Sequence, residues 1–247
     1  MTSYAKTDRG PPLEPVAPGL WLLRGGLSRT MNAYLIEDGD GIVVYDTGEK
    51  GMAAAITAAA ERMGGLKEVV LGHADTDHRG SAAALSRVAP VRCHPDAVGE
   101  AQGSGGRSYW DMGRLPLVPR LLHRVLHRFV WDGGPVRIAG TVREGERIAG
   151  FEVVALAGHA PGLIGLWRAS DRVALVSDTV YLTDMLGRRV PAHVPHAAYN
   201  LDTERARASV RKLAALDPLV VGVGHLGPMR GPDVRAELEA AAASLSA

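Results

Sequence analysis

One cysteine, Cys93, stands in a chain of 247 residues, so no intramolecular disulfide can form and no thiolate cluster can hold a metal. No apolar run reaches the ~18 residues that a bilayer span needs. Residues 1–18 are polar and proline-rich and lack the apolar stretch of an export signal, so the expected location is cytoplasmic. An excess of one charge is missing as well: 28 Lys+Arg oppose 27 Asp+Glu, a formal net charge of +1. Such a chain has no long-range field to gather a polyanion, and nucleic-acid binding would need a local basic patch. The strongest candidate is a short helix face with Arg120, His123, Arg124, His127 and Arg128. The expected partner is a small molecule, with no nucleic acid and no membrane, and a homodimer stays open. What is present is a 46 % hydrophobic content, enough for one large layered α/β domain over residues 1–247.

Residues 20–24 and 31–37 read as strands, and Asp38-Gly39-Asp40-Gly41 supplies the turn into a buried strand at 42–45. An Ala-rich helix over 51–62, a strand at 68–71, a helix at 81–88 and a short strand at 91–93 follow. Residues 99–134 break this rhythm. Within them, 116–130 carry Leu and Val on one helical face and Arg and His on the other, as expected of a helical insertion that covers a cleft or forms an interface. Strands then resume at 137–142, 152–156, 163–168, 173–176 and 219–223, with helices at 202–216, where Asp202 suits the N-cap, and 233–244. The hairpin ending in Tyr45-Asp46-Thr47 is echoed by one ending in Ser177-Asp178-Thr179, which implies two halves of similar plan with two sheets face to face.

The most informative stretch is His73-Ala74-Asp75-Thr76-Asp77-His78, directly after a strand and before a helix. In an extended loop, alternate side chains share a face, so His73 and Asp75 can reach one ion while a turn directs Asp77 and His78 to another. The plain alternative is a polar loop with an acidic helix start. His159, Asp178 and His225 each follow a further strand, at the carboxyl ends where ligands gather in α/β sheets. Singly each could be a turn or cap residue. Together they read as one site.

This order, His73-x-Asp75-x-Asp77-His78 and then His159, Asp178 and His225, with Asp46 closing an early hairpin, resembles the metallo-β-lactamase superfamily from about residue 19 to the final helix. The resemblance implies a four-layer αβ/βα sandwich. It also implies that His73, Asp75 and His159 hold a first metal, that Asp77, His78 and His225 hold a second, and that Asp178 bridges them while Asp46 supports the ligand loops. The expected chemistry is a metal-bridging hydroxide attacking an electrophilic centre, with Asp77 also moving protons.

One position departs from the family pattern, which has His where this chain has Asp75. A carboxylate is harder than imidazole and favours iron or manganese more than His does. The expected cofactors are therefore two divalent ions, zinc first, with iron or manganese as alternatives. Either a dinuclear site of altered preference or a weakened first site with one firmly held ion would follow. Flavodiiron proteins are similar in carrying a carboxylate at the matching place. Tyr181 matches the position at which lactonases of the superfamily hydrogen-bond the substrate carbonyl, or else it simply packs on the cleft wall. The reading is a hydrolase of a small ester, lactone or thioester. Its alternatives are an iron-dependent redox enzyme of the persulfide dioxygenase type and a β-lactamase-like amide hydrolase. His123, His127, His193 and His196 are candidates only for the substrate mouth, and His94 for a strand end.

Overall fold

The computed structural model describes residues 11–27 and 29–244. Seven strands in chain order make the first sheet: β1 (Leu13–Ala17), β2 (Leu20–Gly25), β3 (Met31–Asp38), β4 (Gly41–Tyr45), β5 (Leu66–Val70), β6 (Val91–Cys93) and β7 (Gly140–Thr141). β1 to β4 pair antiparallel through tight turns. β4 to β7 pair parallel, and helices α1 (Ala53–Glu61), α2 (Thr76–Arg79) and α3 (Ala82–Leu85) lie in the crossovers. β1, absent from the sequence expectation, lies within the proline-rich lead. Its Pro15 is tolerable because β1 is an edge strand, where a missing N–H costs the ladder little.

The second sheet holds β8 (Arg147–Ile148), β9 (Phe151–Ala155), β10 (Ile164–Arg168) and β11 (Val173–Ser177). A separate hairpin of β12 (Tyr181–Thr183) and β13 (Arg189–His193) follows, before β14 (Val220–Val223) and β15 (Met229–Arg230) complete the sheet. β14 joins it parallel to β11 after the helix α6 (Thr203–Ala215), whose cap Asp202 accepts the Arg205 N–H at 3.0 Å.

Period-two alternation sets the layers. From β3, Tyr34 and Ile36 point between the sheets, where they meet Phe151, Val153, Ile164 and Leu175. Ala33 and Leu35 point the other way, onto Ile56 and Ala60 of α1 and Leu85 of α3. On the second sheet, Val154, Ala174 and Val221 turn outward onto Val210 and Leu213 of α6 and onto Leu238 of the last helix. The result is helix, sheet, sheet, helix, the four-layer sandwich expected, with β4 buried along its whole length because both its faces are covered. Among the described residues no helix is long and apolar enough to cross a membrane. Cys93 is buried in the first sheet, and burial pushes its thiol up to about 12.

Residues 98–132 differ from a simple amphipathic cover. After α4 (Val98–Gln102), helix α5 (Leu117–Leu126) runs into a π-helical turn at His127–Trp131. Its polar histidines are the buried side: His123 lies edge-on to Trp110 at 4.8 Å and stacks with Tyr199 at 5.6 Å. The Leu and Val face is turned out. The basic face expected from sequence is therefore split, with His123 and His127 inside and Arg124 and Arg128 outside. The final helix, α6 apart, is α7 (Val234–Ala243), packed against α6.

Candidate metal centre

Four connections from the two sheets bring the titratable residues together. The chain leaves β5 extended, so His73 and Asp75 project alike, and α2 then turns Asp77 and His78 inward. His159 lies beyond β9, Asp178 directly beyond β11 and His225 beyond β14. Ligand atoms of His73, Asp75 and His159 lie within 4.8 Å of one another, as do those of Asp77, His78 and His225. Asp178 stands between the groups: its Oδ1 is 3.2 Å from His78 Nε2, and its Oδ2 is 3.3 Å from His225 Nε2 and 3.8 Å from His159 Nε2. All seven residues expected from sequence thus converge.

The ring tautomers follow from the outer partners. Ser177 Oγ–H donates to Asp46 Oδ2, so the Ser177 oxygen is left to accept from His73 Nδ1–H at 2.9 Å. Asp46 Oδ2 also takes the His78 Nδ1–H at 3.3 Å, while its Oδ1 accepts the Gly72 N–H at 2.7 Å. Asn200 Oδ1 accepts the His159 Nδ1–H at 3.1 Å, its amide nitrogen being spent on Pro195 O at 2.7 Å. With their Nδ1 atoms committed, His73, His78 and His159 present Nε2 lone pairs to the centre. Asp46 and Ser177 hold φ of 57° and 47°, a left-handed backbone that non-glycine residues keep only where such contacts enforce it.

These donors fit metal ions. Among the described residues, His73 Nε2, His159 Nε2 and Asp178 Oδ1 are buried without any hydrogen-bond partner, which is costly unless a cation takes them up. His78 Nε2 and His225 Nε2 approach to 3.3 Å, and His73 and His159 Nε2 lie 3.6 and 3.4 Å from Asp75 Oδ2. Two ligands at ~2.0–2.1 Å from a tetrahedral ion sit about that far apart. Gly224 is required by the same crowding: a Cβ there would stand 2.1 Å from Asp178 Oδ1 and 2.4 Å from His78 Cε1. Burial opposes charge on Asp75 and Asp178, yet positive charge at His73 and His159 lowers the Asp75 carboxyl below its usual range, as it does at His78 and His225 for Asp178, and a metal cation on the Nε2 lone pairs would supply that charge in place of ring protons. The acids are therefore anionic and ready to neutralise cations.

Asp75 is itself held from outside. Tyr109 O–H donates to its Oδ1, and Trp110 Nε1–H donates to its Oδ2 at 3.3 Å. Buried Arg79, next to His78, ties the same region to α2 through its Nη1 to Glu100 O at 2.8 Å and its Nη2 to Gly103 O at 3.1 Å. Sequence reading missed Ser177, Asn200, Tyr109, Trp110 and Arg79. Their only local signal is adjacency, as for Ser177 beside Asp178 and Arg79 beside His78.

The centre opens into a cavity of about 340 Å³. Asp75, Asp77, Tyr181 and His225 line it together with apolar side chains including Leu122, Leu126 and Leu186. Tyr181 sits with its ring 5.3 Å from His225 and 6.0 Å from His159. Burial, with Asp178 beside it, pushes the Tyr181 hydroxyl well above its usual range, so it stays a donor. Of the four histidines weighed for the mouth, only His123 lines this cavity. His193 packs behind Tyr181 at 6.1 Å, His196 packs on Tyr199 at 6.4 Å, and His127 is buried beside Trp110. His94 caps the short helical turn Pro95–Ala97.

Residues 29–225 match the family model of the metallo-beta-lactamase superfamily. The probable metallo-hydrolase YflN of Bacillus subtilis (strain 168) is 37 % identical over 99 residues, 38 % of this chain and 38 % of the relative. Type A flavoprotein fprA of Rhodobacter capsulatus is 28 % identical over 163 residues, 64 % of this chain and 33 % of the relative. The matched stretches thus span about a third of these curated relatives. The crystal structure of TTHA1623 in a di-iron-bound form is similar with a TM-score of 0.60 and 25 % identity, over 83 % of this chain and 92 % of that one.

Proposed function

The chain is an enzyme of the metallo-beta-lactamase superfamily, and on that premise we propose that it is a metal-dependent hydrolase of a small ester, lactone or thioester. The observation that carries this reading is the set of orphaned ligand atoms, His73 Nε2, His159 Nε2 and Asp178 Oδ1, clustered with Asp75, Asp77 and His225, which line a largely apolar cavity. His73, Asp75 and His159 would hold one ion, Asp77, His78 and His225 a second, and Asp178 would serve both. Bound there, divalent ions supply a water acidic enough to attack at neutral pH and polarise the oxygen of the scissile group. The protein's own part is positional. Tyr181 donates its O–H to the substrate carbonyl oxygen, Asp77 takes a proton from the attacking water and passes it to the leaving group, and the apolar wall excludes bulk water from the acyl side.

Metal analysis of the purified chain, beside assays on lactones, thioesters and phosphodiesters, tests this. The expected result is about two ions per chain, with hydrolysis lost on chelation and restored by zinc or manganese. A fully loaded chain that hydrolyses none of these bonds would overturn it. The Asp75 carboxylate and the di-iron relative favour a second reading, an iron-dependent redox enzyme; tightly held iron with oxygen consumption and no hydrolysis would support that one.

Tyr181→Phe separates the substrate role from packing. The ring stays, only the hydroxyl goes, and kcat/KM for an ester or lactone is expected to fall about 10- to 100-fold with metal content unchanged. Unaltered kinetics would reduce Tyr181 to a wall residue.

A further inference from the structure

The face that α5 turns to solvent is apolar: Leu117, Val118, Leu121, Val125 and Phe129 are between 50 and 69 % exposed, while His123 and His127 of the same helical segment are buried. Single exposed apolar side chains need no explanation, but five on one face do. Leu122 of the same helix, 41 % exposed, lines the cavity together with Leu27 and Leu186, 75 and 57 % exposed. Arg120, Arg124 and Arg128 recur at four-residue spacing along one edge of that face. Among the described residues none of the three pairs with a carboxylate, and the nearby acids Asp111 and Asp184 are already paired with Arg114 and Arg188. Arg128 lies over the Phe129 ring at 5.6 Å.

We propose that this face of α5 lies on an anionic lipid surface, with its Leu, Val and Phe side chains at the acyl boundary and its arginines on the headgroup phosphates. Charge decides the occupant. An apolar stripe edged by unpaired arginines is the pattern of helices that adsorb in the plane of a bilayer, and each such cation is attracted to anionic headgroups. A second copy placed by two-fold symmetry would bring the same face against itself, with no carboxylate to meet the arginines. The lack of a spanning helix bears on crossing a bilayer and not on lying against one. Resting on the hydrolase reading above, the placement sets the cavity mouth at the membrane, where an apolar substrate could enter directly.

Co-sedimentation of the full chain with vesicles tests the surface without any hydrolysis assay, so its failure would leave the catalytic reading untouched. Vesicles of phosphatidylglycerol and phosphatidylcholine in equal parts are compared with phosphatidylcholine alone. Binding to the anionic vesicles is expected, weakened by salt. The triple variant Val118→Ser, Leu121→Ser, Val125→Ser should lower the partition coefficient at least about tenfold. The triple variant Arg120→Gln, Arg124→Gln, Arg128→Gln should lower it by about fivefold per arginine and remove the preference for anionic lipid. Both variants change side chains outside the metal centre, all of them exposed except half-buried Arg120, and should keep the parent metal content and Tm. Absence of vesicle binding, or binding that the serine variant retains in full, overturns the proposal. So does a dimer in analytical ultracentrifugation that fails to bind vesicles and that the serine variant dissociates, which would give the face to a second copy.

Discussion

Asp178→Ala is expected to lower kcat/KM by about three orders of magnitude, or about 4 kcal/mol of transition-state stabilisation. Asp178 offers carboxylate oxygens to both ligand groups: it lies 3.2 Å from His78 on one oxygen and 3.3 Å from His225 on the other, with His159 at 3.8 Å. Removing it strips negative charge from a cluster of three buried histidines and half-buried His225, so the metal content should fall together with turnover. Asp178→Asn is the companion measurement. It preserves the volume against Gly224, where the fit is already close, and keeps one oxygen acceptor while losing the charge. If the residue acts through charge, the Asn variant is nearly as inactive as Ala although its circular dichroism matches the parent. Undiminished hydrolysis in a folded Asp178→Ala chain would remove the two-ion assignment.

How far the sequence disclosed this site depends on how local each contact is. His73, Asp75, Asp77 and His78 share one loop, and their alternation shows which side chains project alike. His159, Asp178 and His225 were legible because each follows a strand, and parallel or sandwiched strands deliver their carboxyl ends to a common rim. The residues that orient the ligands had no such signal. Ser177 meets Asp46 from 131 residues away, Asn200 meets His159 from 41, and Tyr109 meets Asp75 from 34, and none of these separations leaves a pattern in the chain. Most of the longer strands followed from apolar runs and turn chemistry, whereas β12 and β13 escaped because a short, partly buried hairpin carries little apolar periodicity. For α5 the periodicity was legible, but not which of its two faces would be buried. The aromatic rings of Trp110 and Tyr199 take up His123 inside, a tertiary choice that amphipathicity alone cannot foretell.

Restoring the family's imidazole by Asp75→His is expected to weaken the ion assigned to His73, Asp75 and His159 by about 10- to 100-fold and to lower hydrolysis with it. The environment of Asp75 is built for a carboxylate. Its Oδ2 faces His73 Nε2 and His159 Nε2 at 3.6 and 3.4 Å, while Tyr109 O–H donates to its Oδ1 and Trp110 Nε1–H to its Oδ2. An imidazole with one nitrogen on the metal has only an N–H to offer behind it, so the buried Tyr109 hydroxyl would face a donor in place of an acceptor, costing about 1–3 kcal/mol. Room is short as well, since even a Cβ on Gly106 would come within 2.8 Å of Asp75 Oδ1. Adding Tyr109→Phe to Asp75→His removes the orphaned hydroxyl and should recover part of the lost metal retention. Tyr109→Phe alone, by leaving the Asp75 carboxylate with one donor fewer, should reduce retention. A double-mutant cycle on metal retained after dialysis against a chelator isolates this coupling from any general effect on stability. If Asp75→His instead holds both ions more firmly and hydrolyses faster, Tyr109 and Trp110 are only packing, and Asp75 is a weakened copy of a histidine.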